Sequence, residues 1–252
     1  MFEIDFLHQI RDHELAVVRT QLPASASILE LGGGTGYQAR VLDNWGYAIE
    51  SIDVEESNYR NDRLYDVHTY DGSHLPYPAA SFDVIFSSNV LEHVKDLERL
   101  DREIRRVLRP GGICVHVMPS ASWRWWTIIA HYIEMVQKAA RLVYRPAAQR
   151  EQADAAPVAP MRRARTIAGL LLHYIKVPRH GEQGNAFTEL YTFSRRAWLK
   201  RLRALGYDRI RIEPVGLYYS GHMILGSLLP LRWRKSMAWL LGSSAIVYTL
   251  KP

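Results

Sequence analysis

The sequence contains a single cysteine among its 252 residues, and this scarcity limits both its covalent chemistry and its expected compartment. Cys114 has no partner for an intrachain disulfide, which is typical of proteins from a reducing environment. The N-terminal residues are acidic and lack the cationic start and apolar run of a secretory signal peptide. No stretch of 18 apolar residues runs without a charge, so no membrane-spanning helix is predicted. We therefore expect a cytoplasmic protein.

Several patterns that would identify other enzyme classes are also missing. No group of cysteine, histidine and acidic residues has the spacing of a metal site, and no Ser-His-Asp order suggests a hydrolase. The glycine-rich segment 32–36 is not followed by the Lys-Ser/Thr pair of a phosphate-binding loop. The third glycine of a dinucleotide fingerprint is replaced by Tyr37. The sequence thus argues against a metal site, an NTPase and a nicotinamide-dependent oxidoreductase.

The segment ILELGGGTG, which starts at Ile28, is typical of a buried strand that ends in a glycine turn before a helix. Its glycines follow the spacing G-x-G-x-G at Gly32, Gly34 and Gly36. Asp53 ends the next predicted strand, where a carboxylate can bind two ribose hydroxyls. Glu30 precedes the turn and would repel a pyrophosphate but attract a cationic cofactor. These features favour S-adenosylmethionine, which has no phosphate and carries sulfonium and ammonium groups.

Four further motifs follow in order at short intervals: DGSHLP from Asp71, SFDVIF from Ser81, SNVLEHV from Ser88 and VLRPGG from Val107. With the glycine turn, they make the chain resemble class I S-adenosylmethionine-dependent methyltransferases of the type 11-like group, which includes quinone and lipid methyltransferases. The resemblance is close over residues 25–120 and looser over residues 192–252.

The resemblance implies a set of cofactor-binding residues. Glu30 is expected near the methionine ammonium, Asp53 at the ribose hydroxyls and Asp71 at the adenine amino group. The rest of the set comprises Gly32, Gly33, Gly34 and Gly36 in the turn, Gly72 and Ser73 beside the base, and Ser88 and Asn89 near the methionine. The alternative is that the glycines form an ordinary turn and that the acids are helix caps or surface charges.

The periodicity predicts alternating strands and helices, which indicates an α/β fold. Predicted strands cover 27–31, 47–53, 66–70, 82–87, 113–118, 209–217 and 243–250. Predicted helices cover 5–21, about 37–45, 96–108, 122–145 and 194–205. We expect a doubly wound, Rossmann-like, mostly parallel seven-stranded sheet with an antiparallel last strand and helical cap insertions after strands five and six.

These patterns also predict how the chain is divided. Residues 1–120 are expected to form the S-adenosylmethionine-binding core. Residues 121–191 are expected to form a helical lid with a mobile loop at 146–163, because that loop is rich in alanine, proline and arginine without periodicity. Residues 192–252 are expected to complete the sheet and to carry a second apolar and basic insertion at 221–241.

Charge is distributed unevenly between the two halves. Residues 1–120 contain 11 Lys/Arg and 19 Asp/Glu, whereas residues 121–252 contain 21 Lys/Arg and 7 Asp/Glu. Tryptophans and basic residues flank apolar helical patterns, as in helices that lie in the headgroup layer of an anionic membrane. We expect Trp123, Trp126 and Trp233 to contact that layer. The alternatives are solvated basic faces and helices that pack on each other as an internal cap.

The acceptor side is predicted from topology, because ligands bind beyond the carboxyl ends of parallel strands. His180 lies in a glycine-containing loop at that edge, and a histidine there suits removal of a proton from an oxygen acceptor. Glu182 is a candidate to orient it, and His222 is the second candidate base. Loop histidines with structural hydrogen bonds are the alternative. The Glu92-His93 pair is interpreted as structural, with a catalytic role as the alternative.

These observations predict an S-adenosylmethionine-dependent methyltransferase that acts on a small or amphiphilic acceptor at the inner membrane face. A lipid, an isoprenoid quinone and a lipid-linked glycan all fit. An RNA methyltransferase is the first alternative, although apolar residues beside the basic ones make nucleic acid a less suitable partner. The second is a protein that binds the cofactor without turnover and acts in assembly or regulation. The sequence contains no signal for oligomeric state.

Overall fold

A seven-stranded sheet forms the centre of the protein in the computed structural model, which describes residues 4–55, 57, 62–143, 169, 176–221 and 226–252. The strands are β1 Ser27–Leu31, β2 Ala48–Val54, β3 His68–Tyr70, β4 Phe82–Ser88, β5 Leu108–Pro119, β6 Arg209–Pro214 and β7 Ala245–Lys251. Their order in the sheet is β3-β2-β1-β4-β5-β7-β6. Strand β7 pairs antiparallel with both neighbours, and the other pairs are parallel. The doubly wound fold with an antiparallel last strand is thus confirmed.

Helices cover both faces of this sheet. In chain order they are α1 Ile4–Arg19, α2 Tyr37–Asn44, α3 Leu97–Val107, α4 Ala121–Val143, α5 Thr188–Thr192, α6 Arg195–Ala204 and α7 Leu231–Leu241. Two short 3₁₀ turns lie at Leu91–His93 and Gly226–Leu228. Helix α5 was not predicted from the sequence, because five residues are too few to show helical periodicity.

Strand β5 starts five residues earlier than predicted. Leu108 pairs with Phe82 across β4, and the register then shifts before Val84 pairs with Ile113. The irregularity accommodates the Pro110-Gly111-Gly112 turn, which the sequence pattern had placed outside the strand. Strand β5, which precedes the cap, therefore belongs to the sheet from Leu108 to Pro119.

The apolar runs of the strands are buried on both sides of the sheet. One core cluster joins α1 and α2 to the sheet through residues such as Phe6, Ile10 and Phe86. The other joins α3 and α6 through residues such as Ile85 and Trp198. Burial on both faces is why these strands read as continuous apolar segments rather than alternating ones.

The first five strands run parallel, so their carboxyl ends share one edge of the sheet. Helix α4 begins two residues after β5 ends at that edge, and the chain after β6 leaves from it too. Gly221 donates its backbone N–H to Thr127 Oγ1 at 2.9 Å, so the second insertion packs against α4. The predicted loop at 146–163 and the candidate base His222 lie outside the described residues.

Candidate active site

The glycine turn after β1 has the backbone conformation that its sequence requires. Gly32, Gly34 and Gly36 have φ angles of +72°, +56° and +75°, a region that side chains with a Cβ rarely adopt. The backbone N–H groups of Gly32 and Gly33 donate to the carbonyl of Ile52 at 2.8 and 3.0 Å, which fixes the turn to β2. A Cβ at Gly33 would lie 2.0 Å from Ser51 Oγ, so this position has no room for a side chain.

Asp53 lies beneath this turn at the carboxyl end of β2. Its Oδ2 accepts the N–H of Gly34 at 2.9 Å, and its Oδ1 accepts the N–H of Val54 at 2.8 Å. The residue is 8% exposed. Each carboxylate oxygen has further lone pairs for a ligand hydroxyl. Asp53 therefore joins the glycine turn to the predicted position of the ribose.

Glu30 is buried behind the same turn. Its Oε2 accepts the Ser51 hydroxyl at 2.6 Å. Burial raises the pKa of Glu30 to about 7, and the charge of Asp53 adds to that rise, while Ser51 and Arg11 oppose it. A cationic ligand next to this carboxyl group would lower its pKa and favour the ionised form.

Asp71 lies after β3 and is exposed. Its Oδ1 accepts the backbone N–H groups of His74 at 2.7 Å and Ser73 at 2.8 Å, which closes a tight turn through Gly72. These backbone hydrogen bonds lower the pKa of Asp71. The carboxylate is therefore fixed at the rim of the site, at the position expected for contact with the adenine.

Ser88 and Asn89 end β4 beside a charged group that the sequence interpretation did not include. Arg11 Nη1 lies 3.3 Å from Ser88 Oγ. The Asn89 amide orientation that satisfies both of its ends places the side-chain oxygen 2.6 Å from Arg11 Nη1. Asn89 has a φ of +55°, so the chain turns sharply here. Helix α1 thus contributes a cation to the edge where the methionine is expected.

Arg11 belongs to a buried network beneath α1. Its Nη1 lies 2.6 Å from Glu14 Oε2, and the Tyr219 hydroxyl donates to Glu14 Oε1 at 2.7 Å. Burial and the neighbouring Glu14 raise the pKa of Tyr219 well above its usual value, so it remains a donor. Glu14 lies in register with Ile10 and Val18, within the apolar stripe of α1. That placement is the sequence signal that identifies it as a buried acid.

The described residues fit S-adenosylmethionine. Two acidic side chains, Glu30 and Asp53, flank a turn whose glycines adopt positive φ angles and pack closely against neighbouring side chains. Carboxylates match the ammonium and sulfonium charges and the ribose hydroxyls, whereas they would repel a phosphate. When bound, the cofactor would supply an electrophilic methyl group, and Glu30, Asp53 and the glycine turn are the residues that would hold it.

His180 lies on the acceptor side of this edge, among aromatic rings. Its ring centroid is 4.7 Å from that of Trp123, 4.9 Å from that of His93 and 6.1 Å from that of Phe193. The imidazole is 34% exposed. The packing fixes one side of the ring and leaves the other accessible.

The backbone around His180 is held by a buried ion pair from the lid. Glu189 Oε1 accepts the N–H groups of His180 and Gly181, each at 2.7 Å. Its Oε2 lies 2.8 Å from Arg124 Nε, and both side chains are almost completely buried. Arg124 is on α4 and Glu189 on α5, so the pair joins the two parts of the lid to the loop that carries His180.

Glu182 does not orient His180, and that prediction was wrong. The carboxylate that faces the imidazole belongs to Glu92, whose Oε1 lies 3.8 Å from His180 Nε2. Glu182 contributes its backbone N–H, which donates to the carbonyl of Glu92 at 3.1 Å. The loop folds back on the 3₁₀ turn after β4, a contact between residues 90 positions apart that spacing alone does not predict.

Residues 29–116 match the methyltransferase domain family. An uncharacterised methyltransferase of Mycobacterium sp. (strain KMS) is 34% identical over 97 residues, which cover 37% of this chain and 38% of that protein. The 27-O-demethylrifamycin SV methyltransferase of Amycolatopsis mediterranei (strain S699) is 36% identical over 102 residues, 36% of this chain and 38% of that protein. The matches span about two fifths of these curated relatives.

The fold agrees over almost the whole chain. The crystal structure of an S-adenosylmethionine-dependent methyltransferase from Mesorhizobium loti aligns with a TM-score of 0.51 and 18% identity, and covers 95% of this chain and 98% of that one. These comparisons support a methyltransferase domain over residues 29–116 and give the whole chain the fold of class I S-adenosylmethionine-dependent methyltransferases. S-adenosylmethionine is the cofactor of this family.

The matched segment ends at residue 116, before the cap that carries Trp123 and Trp126. Trp123 is buried against His180, and Trp126 is half-buried and donates its Nε1–H to the carbonyl of Leu241 at 2.9 Å. Trp123 is therefore too buried for the predicted contact with a headgroup layer, whereas contact by the half-buried Trp126 stays a prediction. Arg124, the residue after Trp123, is also buried, in the ion pair with Glu189.

Proposed function

We propose that this chain transfers the methyl group of S-adenosylmethionine to a small amphiphilic acceptor at the surface of a membrane. The observation that carries the proposal is a set of exposed aromatic and aliphatic side chains on the cap, beside the edge of the sheet where the cofactor is expected. A lipid, an isoprenoid quinone and a lipid-linked glycan have the required combination of an apolar body and a reactive polar end.

The cofactor side of the proposal uses the residues at the ends of β1, β2, β3 and β4. Asp53 binds the ribose hydroxyls, Asp71 the adenine amino group and Glu30 the methionine ammonium. The remaining residues of this site are Gly32, Gly33, Gly34, Gly36, Gly72, Ser73, Ser88 and Asn89. Methyl transfer is an in-line displacement, so their main contribution is to align the sulfonium with the acceptor and exclude water.

On the acceptor side, the proposed base is His180, with His222 as the second candidate. The Trp123 and Phe193 rings and the Glu92 carboxylate surround the His180 imidazole. A hydroxyl acceptor placed at this imidazole would lose its proton as the methyl group arrives.

The exposed apolar residues of the cap lie on two helices that meet. Trp126 of α4 donates to Leu241 of α7, and around this contact the neighbouring side chains point to solvent. Trp125 is 50% exposed, Leu240 77% and Trp239 90%. Other exposed apolar residues of this surface are Tyr132, Ile133, Val136, Leu228 and Trp233. Large exposed apolar patches mark sites for a partner or a membrane.

Charge favours a membrane over a nucleic acid as that partner. Arg232 and Lys235 are exposed on α7 beside Trp233 and Trp239. Basic residues next to exposed tryptophans suit a layer with anionic headgroups above an acyl region. Phosphate-backbone recognition favours cationic grooves with isolated stacking rings, without neighbouring leucine and valine.

The proposed division of the chain follows from this arrangement. Residues 1–120 form the cofactor-binding core, 121–191 the lid and 192–252 the remainder of the sheet with the insertion at 221–241. The proposed acceptor side lies in the lid after β5, and the proposed membrane-contacting surface is shared between α4 of the lid and α7 of the second insertion. The amphiphilic acceptor would then enter from the membrane without crossing water. A cytoplasmic reaction is proposed because Cys114 is the sole cysteine.

Among the described residues, no helix is long and apolar enough to cross a membrane. The proposed contact is therefore peripheral. The relative from Amycolatopsis mediterranei is named for a small-molecule acceptor, 27-O-demethylrifamycin SV, and this supports the small-molecule part of the proposal.

Partitioning onto vesicles tests the proposal. The full chain is expected to bind vesicles that contain anionic lipid, and Trp239→Ser together with Trp125→Ser should lower the partition coefficient at least ~10-fold, since two large apolar side chains are lost from the layer. Cofactor affinity should stay unchanged. Leu64→Ser, an exposed leucine outside the cap, is the matched control.

Turnover with a cell lipid extract and labelled S-adenosylmethionine completes the test. Incorporation of label into an extractable lipid supports the proposal. Binding to RNA with a steep salt dependence and no vesicle binding would replace it with the RNA methyltransferase alternative. Cofactor binding without turnover on either material would favour the non-catalytic alternative.

A further inference from the structure

Glu92 is a buried acid with an unusual environment. Its side chain is completely buried, yet neither of its two carboxylate oxygens has a hydrogen-bond partner among the residues that the structure describes. An ionised carboxylate in this situation carries a large desolvation cost unless a cation compensates it. Glu92 therefore identifies a position that favours a positive charge.

Two imidazoles face the Glu92 carboxylate. His180 Nε2 lies 3.8 Å from Glu92 Oε1, and His93 Nε2 lies 3.9 Å from the same oxygen. The three ligand atoms all lie within 4.8 Å of one another. These separations are too long for hydrogen bonds, so the groups surround a space without bonding directly to each other.

We infer that Glu92, His93 and His180 bind a divalent transition-metal ion such as Zn²⁺. Two histidine nitrogens and one carboxylate oxygen are ligands that zinc and related ions prefer, whereas magnesium and calcium prefer oxygen alone. Zinc at about 2.0–2.1 Å from each donor brings tetrahedral ligands roughly 3.3–3.4 Å apart. The three donors reach that distance after shifts of a few tenths of an ångström to about one ångström.

The surroundings allow such a shift at the histidines and restrain it at the carboxylate. The side chains of His93 and His180 are 41% and 34% exposed, so both rings can turn. The Glu92 side chain is completely buried and has less freedom, and the backbone of Glu92 packs against Gly181, where a Cβ would lie 2.9 Å from the Glu92 carbonyl oxygen. The partly exposed histidines leave the remaining coordination positions open to solvent.

Metal binding and the proposed proton transfer compete for His180, because a neutral imidazole has only one nitrogen with a free lone pair. A bound ion occupies the Nε2 lone pair, so His180 cannot accept a proton while the ion is present. This consequence rests on the proposed function: turnover of a hydroxyl acceptor should fall as Zn²⁺ is added and recover with a chelator. The metal site itself does not depend on the identity of the acceptor.

Direct metal binding to the full chain tests the inference. Protein stripped with a chelator is titrated with Zn²⁺ in a calorimeter and with Co²⁺ by visible absorption. One saturable site is expected, and Glu92→Gln, His93→Ala and His180→Ala should each weaken it at least ~10-fold, the scale of lost metal-site contacts. Thermal unfolding and S-adenosylmethionine affinity show whether each variant is folded.

His68→Ala is the matched control, because His68 lies near Glu50 and Asp66 on the surface, with all three side chains exposed. It should leave the affinity unchanged. Absence of saturable binding by the wild type would overturn the inference and leave Glu92 paired with a protonated imidazole. Equal affinity in the wild type and in folded His93→Ala would also overturn it. Methyl transfer is measured separately. If the protein binds Zn²⁺ but shows no methyl transfer, that result contradicts the proposed function and leaves the metal site intact.

Discussion

The cofactor half and the cap half of this protein hold their charged groups in different ways. Asp53 is fixed by backbone N–H groups from its own strand and from a turn 19 residues earlier. Arg124 and Glu189 are fixed by each other across 65 residues of chain, and both are buried. The first arrangement follows from strand topology, whereas the second requires two helices and a loop to assemble together.

We therefore expect the two halves to contribute to different steps, the first half to cofactor binding and the cap half to the reaction with the acceptor. In the proposed function, cofactor binding depends mainly on the glycine turn, Glu30 and Asp53, whose hydrogen bonds lie within β1, β2 and the turn between them. The proposed acceptor side at His180 depends on the packing of α4, α5 and the loop at His180. Changes in the cap should therefore alter turnover and stability more than cofactor affinity.

The largest expected effect that would test this difference between the two halves is the loss of turnover on substitution of His180. With a hydroxyl acceptor and a chelator present, His180→Ala should lower turnover roughly 10²–10⁴-fold, the usual contribution of a positioned base. Wild-type turnover should also fall on acidification, because a protonated imidazole cannot accept a proton. Steady-state rates with labelled cofactor measure both effects.

Cofactor affinity of this variant provides the control and should remain that of the wild type. His74→Ala, at an exposed histidine paired with Glu103, should not change turnover. A variant rate within a few-fold of wild type, together with a pH-independent wild-type rate, would make His180 a structural residue and leave catalysis to alignment alone.

The second effect concerns the lid. Glu189→Gln leaves the Arg124 guanidinium buried without a carboxylate and weakens the acceptor for the His180 and Gly181 N–H groups. Removal of one member of a buried ion pair typically costs about 3–5 kcal/mol. We expect a loss of this size in the free energy of unfolding, measured by urea denaturation.

An exposed pair on the sheet supplies the comparison for this measurement. Arg211→Gln removes the ion pair with Glu213, whose side chains are 63% and 36% exposed, and should cost at most about 1 kcal/mol. Equal effects of the two substitutions would show that the lid pair contributes no more than a surface pair.

The cofactor half was largely predictable from the sequence because its information is local. A strand, a glycine turn and an acid after the next strand lie within 26 residues, and parallel strands bring their carboxyl ends to one edge. The predicted bounds of β1 and β4 differ from those observed by at most one residue. The position of Arg11 at this edge was not predicted, because its contact with Ser88 of β4 joins residues 77 positions apart.

The cap was less predictable because burial there depends on long-range partners. Periodicity along α4 could not show that Arg124 would be buried in an ion pair with Glu189, 65 positions away. Trp123 is buried as well, whereas Trp126 is half-buried and Trp125 is exposed. The hydrogen bond from the Glu182 N–H to the Glu92 carbonyl brings Glu92 and His180 together. The spacing of residues in the sequence does not predict this contact.

The third effect tests the cofactor half alone. Asp53→Ala should weaken S-adenosylmethionine binding by about 1.5–3 kcal/mol, the range for hydrogen bonds to a charged group. Calorimetry measures the affinity, and Asp66→Ala, an exposed acid before β3, is the control. Binding of NAD in place of S-adenosylmethionine by the wild type would contradict the assigned roles of Glu30 and Asp53.

The smallest expected effect is a proton released when the cofactor binds, and it tests the role of Glu30. Burial raises the pKa of Glu30 from 4.5 to about 7, so the free protein binds a proton that the unfolded chain has lost. This contribution to the free energy of unfolding is complete below pH 4.5 and is lost as pH rises through 7. The Glu30→Gln variant should not show this pH-dependent decrease in the free energy of unfolding.

If Glu30 faces the methionine ammonium, cofactor binding lowers its pKa again, and up to one proton leaves the protein near pH 7. Calorimetric binding enthalpies should then differ between buffers of different ionisation enthalpy, because the buffer takes up the proton. Glu30→Gln should abolish the difference, with Asp66→Ala as a control that retains it. Identical enthalpies in all buffers would place the ammonium away from Glu30. Glu30 would then serve to brace the glycine turn through Ser51, and the cofactor cation would be matched mainly by Asp53 and the acidic charge of the surrounding core.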